Sequence, residues 1–420
     1  MSEGTAMWPR TADYGSLACG VGGVVVLYLA LCILNPYPIA DEQHHHLPAI
    51  RHFYEGQWFW PEDLPMIPTY HVVAAGVAKI FGDKLYVLRG FSAALAIAAV
   101  LAFRGITKHR ALVQADDSLL HFAWQPILFP FLALVYTEAA AVLCLVGAVY
   151  FHVRRQWLLS ALVLLLACLV RQSNVVWVAL MATWAVVEQT EGKRPTIMSA
   201  LRSIWPHVLI VLIAAMGLLV KNSPMLRGVE ANRPRFNVAQ LYSFALFVIV
   251  LWLPIWAGRL HQDWRSLWHW ATARSVRGLP AAILTALVIA ILILCFRNPH
   301  PWNHIDRFIR NWPLILMSES LVARVVGACV ITAVGLSIVR FTLEQPSRRT
   351  LALVWLFSLV FLVAHSLAEP RYYIVPMILI NLLTQYTASQ ARHITLWYLA
   401  VSAAVGVTVC VGGGPDGGIW

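Results

Sequence analysis

The sequence predicts an all-α protein that crosses a membrane many times, and three observations carry that expectation. Hydrophobic residues make up 60% of the 420-residue chain, and charged residues only 12%, against about 25% in a soluble domain. Apolar runs long enough to cross hydrocarbon recur from end to end and leave no stretch for a separate soluble domain. The 31 Lys and Arg residues, against 20 Asp and Glu, gather in short loops. There they read as topology signals, and no nucleic-acid partner is expected.

Residues 21–34 close a first span over 17–34, which Asn35-Pro36-Tyr37-Pro38 breaks. Met1 to Ser16 has neither the charged start nor the cleavage site of a signal peptide, so this span is expected to stay as an anchor. Further spans are expected near 86–103, 119–135, 138–152, 157–170, 173–188, 204–220, 238–258, 279–296, 320–341, 350–367, 372–387 and 394–411, about thirteen in all. The pairs within 119–152 and 157–188 read as tight hairpins of short helices. Segment 70–81 is ambiguous. As a span it would put the basic loop Arg104–Arg110 on the same side as the acidic loop 36–70; as an interfacial helix it puts that loop opposite.

The positive-inside rule selects the interfacial helix, because the loops Arg104–Arg110, His152–Arg155, Glu188–Arg202, Arg259–Arg277, Gln345–Arg349 and Gln390–His393 then share the cytoplasmic face. The expected organisation is one integral membrane domain over 1–420. A first non-cytoplasmic loop, 36–82, carries interfacial helices, and another loop on that face covers 297–319. The seven cysteines lie in or beside apolar runs with neither metal spacing nor a disulfide framework.

The polar groups that structure alone does not require fall on the non-cytoplasmic face. Asp41-Glu42 follows the first span at once, and carboxylates at a bilayer surface are costly unless used. Either can act as a general base on an attacking hydroxyl; the structural alternative is an acidic helix N-terminus. Arg171-Gln172 sits in a turn between two apolar helices, and Arg371 follows Glu369-Pro370 at the head of another. Such arginines can simply snorkel, but they also grip phosphate bidentately, and two of them facing the acidic loop favour an anionic lipid head group. The loop from His300 through Asp306-Arg307 offers sugar hydroxyls polar groups and an aromatic face, or else forms an interfacial aromatic belt. His44-His45-His46 with His52 suggests a metal at first sight. Consecutive helical residues point apart, only His45 and His52 share a face well, and no metal site is expected.

Several segments, in order, carry a resemblance: Pro36-Tyr37 to Asp41-Glu42 with His45; Gly56-Gln57-Trp58, Asp63 and Pro65-Met66-Ile67-Pro68-Thr69; and Phe129-Pro130 with Tyr136-Thr137. Then come Arg171-Gln172-Ser173-Asn174-Val175-Val176-Trp177, Leu253-Pro254-Ile255-Trp256, His300-Pro301 to Asp306-Arg307, and Glu369-Pro370-Arg371-Tyr372-Tyr373-Ile374-Val375-Pro376. Together they resemble the dolichyl-phosphate-glucose alpha-1,2-glucosyltransferase family, which adds the last glucose to the lipid-linked oligosaccharide for N-glycosylation. Glu138 stands where the family usually has aspartate. The resemblance implies a GT-C fold, no cofactor, and an inverting transfer from a beta-linked glucosyl phosphate lipid to a diglucosylated lipid-linked oligosaccharide. It implies the endoplasmic reticulum membrane with a luminal active face, or a plasma membrane if the source is bacterial. Asp41 is then the expected base, with Glu42 as neighbour or substitute. Arg171, Arg371 and Arg307 are expected on the phosphate, and His45, Gln172, His300, Asp306 and Tyr372 on sugars. Two rival readings are a transferase for another polyprenyl-phosphate sugar and a lipid or sugar transporter. The absence of internal repeats, and ionisable residues gathered at one face rather than mid-span, disfavour the transporter.

Overall fold

A computed structural model of the chain describes residues 13–59, 64, 66–110, 114–190, 197–219, 236–259, 265, 278–306 and 309–412. All regular structure among them is helical. Helix α1 (Asp13–Leu34) stops at Asn35-Pro36, and a π turn (Glu42–His46) runs straight into α2 (Leu47–Tyr54). The 13 residues of α3 (Thr69–Phe81) rise about 20 Å, well short of the ~30 Å hydrocarbon core. Helix α3 lays Tyr70, Ala74, Ala75 and Ala78 against Ile50 and Phe53 of α2, and against Leu88 of α4 (Leu85–His109).

Next come α5 (Ala115–Ala123), α6 (Thr137–Val153), α7 (Trp157–Val170), α8 (Val175–Thr190) and α9 (Ile197–Leu219). After them stand α10 (Ala239–Leu251), α11 (Leu253–Arg259), α12 (Gly278–Leu294) and α13 (Trp312–Glu319). The last four are α14 (Leu321–Glu344), α15 (Arg348–Val363), α16 (Ile374–Leu383) and α17 (Ala388–Gly412). The core is one large cluster in which Trp177, Trp184 and Trp252 are fully buried, with Trp252 Nε1 donating to Asn381 Oδ1 at 3.2 Å. The outer face is apolar as well: Val26, Ile33, Leu294 and Val322 lie exposed, as lipid-facing side chains do. The chain is a multi-pass helical membrane protein.

Three of the expected spans are not straight helices. Over 119–135 the chain forms α5 and then a 3-10 turn (Phe129–Leu132), because Pro126 and Pro130 cannot continue a helix. Over 238–258, α10 and α11 meet at 82°. Pro254, with no N–H to give, takes the first turn of the new helix. Over 372–387 only α16 is α-helical, entered through a 3-10 turn (Pro370–Tyr373). Among the described residues, α1, α4, α14 and α17 reach crossing length and apolarity singly, and the bent pair makes five. The other expected spans fall on shorter helices among the described residues.

Candidate active site

The start of the π turn, the head of α6, the α7–α8 turn and the head of α16 meet at one end of the bundle. Arg371 Nη1 lies 3.5 Å from Asp41 Oδ2, across 330 residues of chain. Its Nε pairs closely with Glu369, whose other oxygen takes Arg310 at 3.5 Å. Alongside, Arg171 Nη1 donates to Glu138 Oε1 at 2.5 Å. The Tyr372 ring stands between the two arginines, 5.7 Å from the Arg171 guanidinium carbon and 5.9 Å from that of Arg371. Glu138, Asn174, Phe361, Arg171, Arg371 and Tyr372 border a small cleft. Burial works against the charge on Arg371, but Glu369, with Tyr372, Glu138 and Asp41 behind it, keeps that guanidinium firmly protonated. Burial raises the Tyr136 hydroxyl far above its ordinary range, and the Asp41 charge adds to the effect.

The local backbone explains the placement. Arg171 is extended (φ −146°, ψ 111°) and ends α7, so its side chain leaves the helix axis at the bundle end. Gln172 begins the 3-10 turn that follows. The non-helical segment before Glu369-Pro370 is fixed by buried amides. Asn237 Nδ2 donates to Ser366 O at 2.7 Å, Gln240 Nε2 to His365 O and Leu367 O, and Asn303 Nδ2 to Ser366 O at 3.1 Å. Asn303 Oδ1 accepts from Ala368 N at 2.9 Å. Each of these three amides is 0% exposed. Nothing in the sequence marks them, since a polar residue in an apolar run shows its partner only in three dimensions.

The structure gives Asp41 and Glu42 different surroundings. Asp41 keeps 29% of its side-chain exposure, whereas Glu42 keeps none. Both Glu42 oxygens are committed: to Arg89 Nη2 at 2.7 Å and Nε at 3.2 Å, to Val135 N at 2.8 Å and to Ile39 N at 3.1 Å. Arg89 also donates to the carbonyls of Leu31, Asn35 and Tyr37, the last of α1 and the loop after it. A carboxylate so filled cannot accept an acceptor's proton. Glu42 is the clamp that holds Asp41's segment to α1, α4 and the head of α6.

His45 follows in the same π turn. It is exposed, while its neighbour His46 is buried, with Nδ1 3.0 Å from His71 Nε2 and its ring 4.8 Å from that of Tyr136. The extra residue of the π turn shifts the inward position by one. His300 is buried, caps its own 3-10 turn by accepting from Trp302 N at 3.1 Å, and has its pKa lowered by burial against the opposing pull of nearby Glu369. Asp306 is exposed on the same loop, where its carbonyl accepts from Trp312 Nε1 at 2.5 Å. Arg307, Asp63 and Pro65 lie outside the described residues. Sequence reasoning thus missed Arg89, Arg310, Glu369, His46 and His71; the motif Glu369-Pro370-Arg371 was the one available signal for Glu369. Among the described residues no group of three or more His, Cys, Asp and Glu is placed to hold a metal ion.

One carboxylate with room to accept a proton, beside two guanidiniums on a single cleft, can deprotonate a hydroxyl while it holds a phosphate. Comparison with known proteins bears on that chemistry. The model of the DIE2/ALG10 family matches residues 35–199 and 193–382. A curated relative in Candida albicans, a Dol-P-Glc:Glc(2)Man(9)GlcNAc(2)-PP-Dol alpha-1,2-glucosyltransferase, is 21% identical over 276 residues, 61% of this chain. The chain spans 60% of that relative's length. Crystal structures of ArnT from Cupriavidus metallidurans, apo and bound to undecaprenyl phosphate, align with TM-scores of 0.41 and 0.39 at 14% and 13% identity. They cover 96% and 94% of this chain, and 78% and 80% of those chains. With the family model matched across both halves and over most of its length, the chain belongs to the DIE2/ALG10 family.

Proposed function

We propose that this protein is an inverting glucosyltransferase of the endoplasmic reticulum membrane. It takes glucose from dolichyl-phosphate-glucose and adds it in alpha-1,2 linkage to a diglucosylated lipid-linked oligosaccharide, on the luminal face. The observation that carries this reading is Asp41 held 3.5 Å from Arg371, with Arg171 across the Tyr372 ring. Family membership supports it and implies the GT-C fold class.

In this reading Arg171 and Arg371 hold the donor phosphate. Arg307 joins them only if its loop reaches the cleft. Asp41 takes the proton of the acceptor hydroxyl as that oxygen attacks the anomeric carbon. The bond from that carbon to the phosphate oxygen breaks with its electron pair, and dolichyl phosphate leaves against the two guanidiniums. Attack opposite the leaving group turns the beta link of the donor into an alpha link. Tyr372, which borders the cleft, and Gln172 in the turn after Arg171 are assigned to the transferred sugar, and His300 and Asp306 to the acceptor. The three carboxylates Asp41, Glu138 and Glu369 balance the three cations Arg171, Arg310 and Arg371. An incoming phosphodiester therefore competes with Asp41 for Arg371, and that exchange frees the base.

A transfer assay on the purified protein in detergent tests this, with dolichyl-phosphate-glucose and the diglucosylated acceptor, with and without chelator, beside Asp41→Asn. Transfer of a single alpha-1,2 glucose, unaffected by chelator and lost in Asp41→Asn, is the expected result. If folded wild-type protein ignores the glucose lipid but uses a mannose or arabinose lipid, the sugar is wrong and the reading moves to another polyprenyl-phosphate donor.

A further inference from the structure

The first loop holds a histidine pair to which the reaction above gives no part. The π turn closes from Leu47 N–H to Glu42 O, five residues back, one more than an α-helix allows. That spacing brings His46 onto the side of Asp41, where Tyr136 meets the His46 ring and feels the Asp41 charge. Behind His46 lies His71 of α3, fully buried, its ring stacked at 12° and 5.3 Å. Burial holds His71 at about 4 and His46 well below the ordinary histidine range, the latter pushed further by His71, Arg371 and Arg171. Both rings are neutral, so one N–H serves the 3.0 Å contact between them.

The unpartnered atom behind the pair settles which one. His71 Nδ1 is buried with no hydrogen-bond partner. A stranded N–H is rarer and costlier than a stranded lone pair, so Nδ1 is the bare nitrogen and His71 carries its proton on Nε2. His71 therefore donates to His46 Nδ1, and the His46 proton sits on Nε2. That nitrogen has no partner among the described residues, yet it is not among the atoms sealed inside the fold.

We infer that His46 contacts the substrate, its Nε2–H donating to an oxygen of the donor's sugar phosphate head group, and that His71 is the positioning residue that fixes its tautomer. The inference rests on the glycosyl-transfer reading and names a further contact in that site. A neutral donor suits the place. It adds a hydrogen bond without adding charge to six groups already in balance, and it does not draw Asp41 away from the acceptor as an imidazolium would.

The test uses the full chain in detergent, with transfer kinetics and lipid binding measured on the same preparations. His46→Phe should lower kcat/KM for the donor by about tenfold while the acceptor KM stays within twofold, and His46→Gln, which keeps an N–H, should recover part of the loss. His71→Leu should lose about threefold and His71→Gln should recover it, which a purely structural role would not produce. His44→Ala, on the exposed side of the turn, should match wild type. Thermal-shift titrations with dolichyl phosphate and with dolichyl-phosphate-glucose locate the contact. Weaker binding of both lipids by His46→Phe puts the bond on the phosphate, and weaker binding of the glucosylated lipid alone puts it on the sugar. Unchanged affinity for both, in folded His46→Phe, overturns the inference. Should His46→Phe not fold, equal lipid affinities in His71→Leu and His71→Gln overturn it instead. Wild type that binds dolichyl phosphate but transfers no glucose removes the glucosyltransferase reading alone, and the binding arm still decides His46. Wild type that binds neither lipid removes both.

Discussion

Asp41 and Glu42 are adjacent carboxylates with opposite surroundings, and the difference is testable one residue at a time. Glu42 is the sole carboxylate on Arg89 among the described residues, in a pocket where neither side chain exceeds 1% exposure. Removing one member of such a pair leaves a buried charge without compensation, so Glu42→Ala should cost about 3–5 kcal/mol of stability. Asp41→Ala, at a partly open position, should leave unfolding in detergent nearly unchanged while it abolishes transfer. Equal melting temperatures for the two variants would show that the clamp is not what holds the loop. The buried histidines add a pH dependence. His71 stays neutral down to about 4 in the folded protein, whereas an unfolded chain protonates its histidines below about 6.5. The unfolded state thus binds more protons through that window. Stability is complete above the unfolded value and is lost as pH falls from 6.5 toward 4. The melting temperature should drop between pH 7 and pH 5, and His71→Leu should flatten the slope; a curve equally steep in that variant would move the effect elsewhere. The acid pair itself was legible in the sequence because charge at a membrane surface is rare. Which of the two is free was not, because Arg89 sits unremarked near the start of an apolar helix.

At the scale of elements, proline and length decided what the sequence could tell. Asn35-Pro36 ended α1 as expected, because a proline at the edge of an apolar run reads as a stop. Pro126, Pro130 and Pro254 lie inside apolar runs, where hydropathy continues although the helix does not, so the break at α5 and the 82° bend before α11 were not read. Charge balance predicts that α3 lies at the interface, and what the structure adds is its length of 13 residues. The π turn was the least legible element, since one surplus residue leaves no mark on composition. It does make a clear prediction. A π turn is an α turn with one residue added, so deleting His44 should let the turn relax to α while Glu42 still reaches Arg89 and His46 still reaches His71. The deletion should keep at least a third of the transfer rate and melt within a few degrees of wild type. Deleting His52 from the regular helix α2 should rotate everything after it by about 100° and abolish activity. Loss of the same size in both deletions would mean the turn has no slack.

Across the whole molecule, the site is a meeting of segments that are distant in sequence, and the physics of the bilayer is what made them legible together. A one-dimensional reading could not place Arg371 beside Asp41, 330 residues away. It could place both at the same membrane face, because alternate helix ends must alternate sides and the basic loops choose which side is which. The contacts at the other end fit that division: Arg110 pairs with Glu188 at 3.6 Å and Arg259 with Glu344 at 2.7 Å, structural pairs far from the cleft. The charge pattern thus predicts an orientation, and that can be checked without any substrate. Tyr37, 66% exposed on the first loop, and Arg155, exposed in the α6–α7 turn at a φ of 59°, mark the two ends. In a chain whose seven cysteines are replaced, Tyr37→Cys and Arg155→Cys in sealed, right-side-out microsomes should respond oppositely to an impermeant maleimide. Arg155→Cys should label at once, and Tyr37→Cys only after the membrane is opened. Labelling of Tyr37→Cys in intact vesicles would put the cleft on the cytoplasmic side. The positive-inside assignment would then fail, and the donor would have to present its head group from the cytoplasmic leaflet.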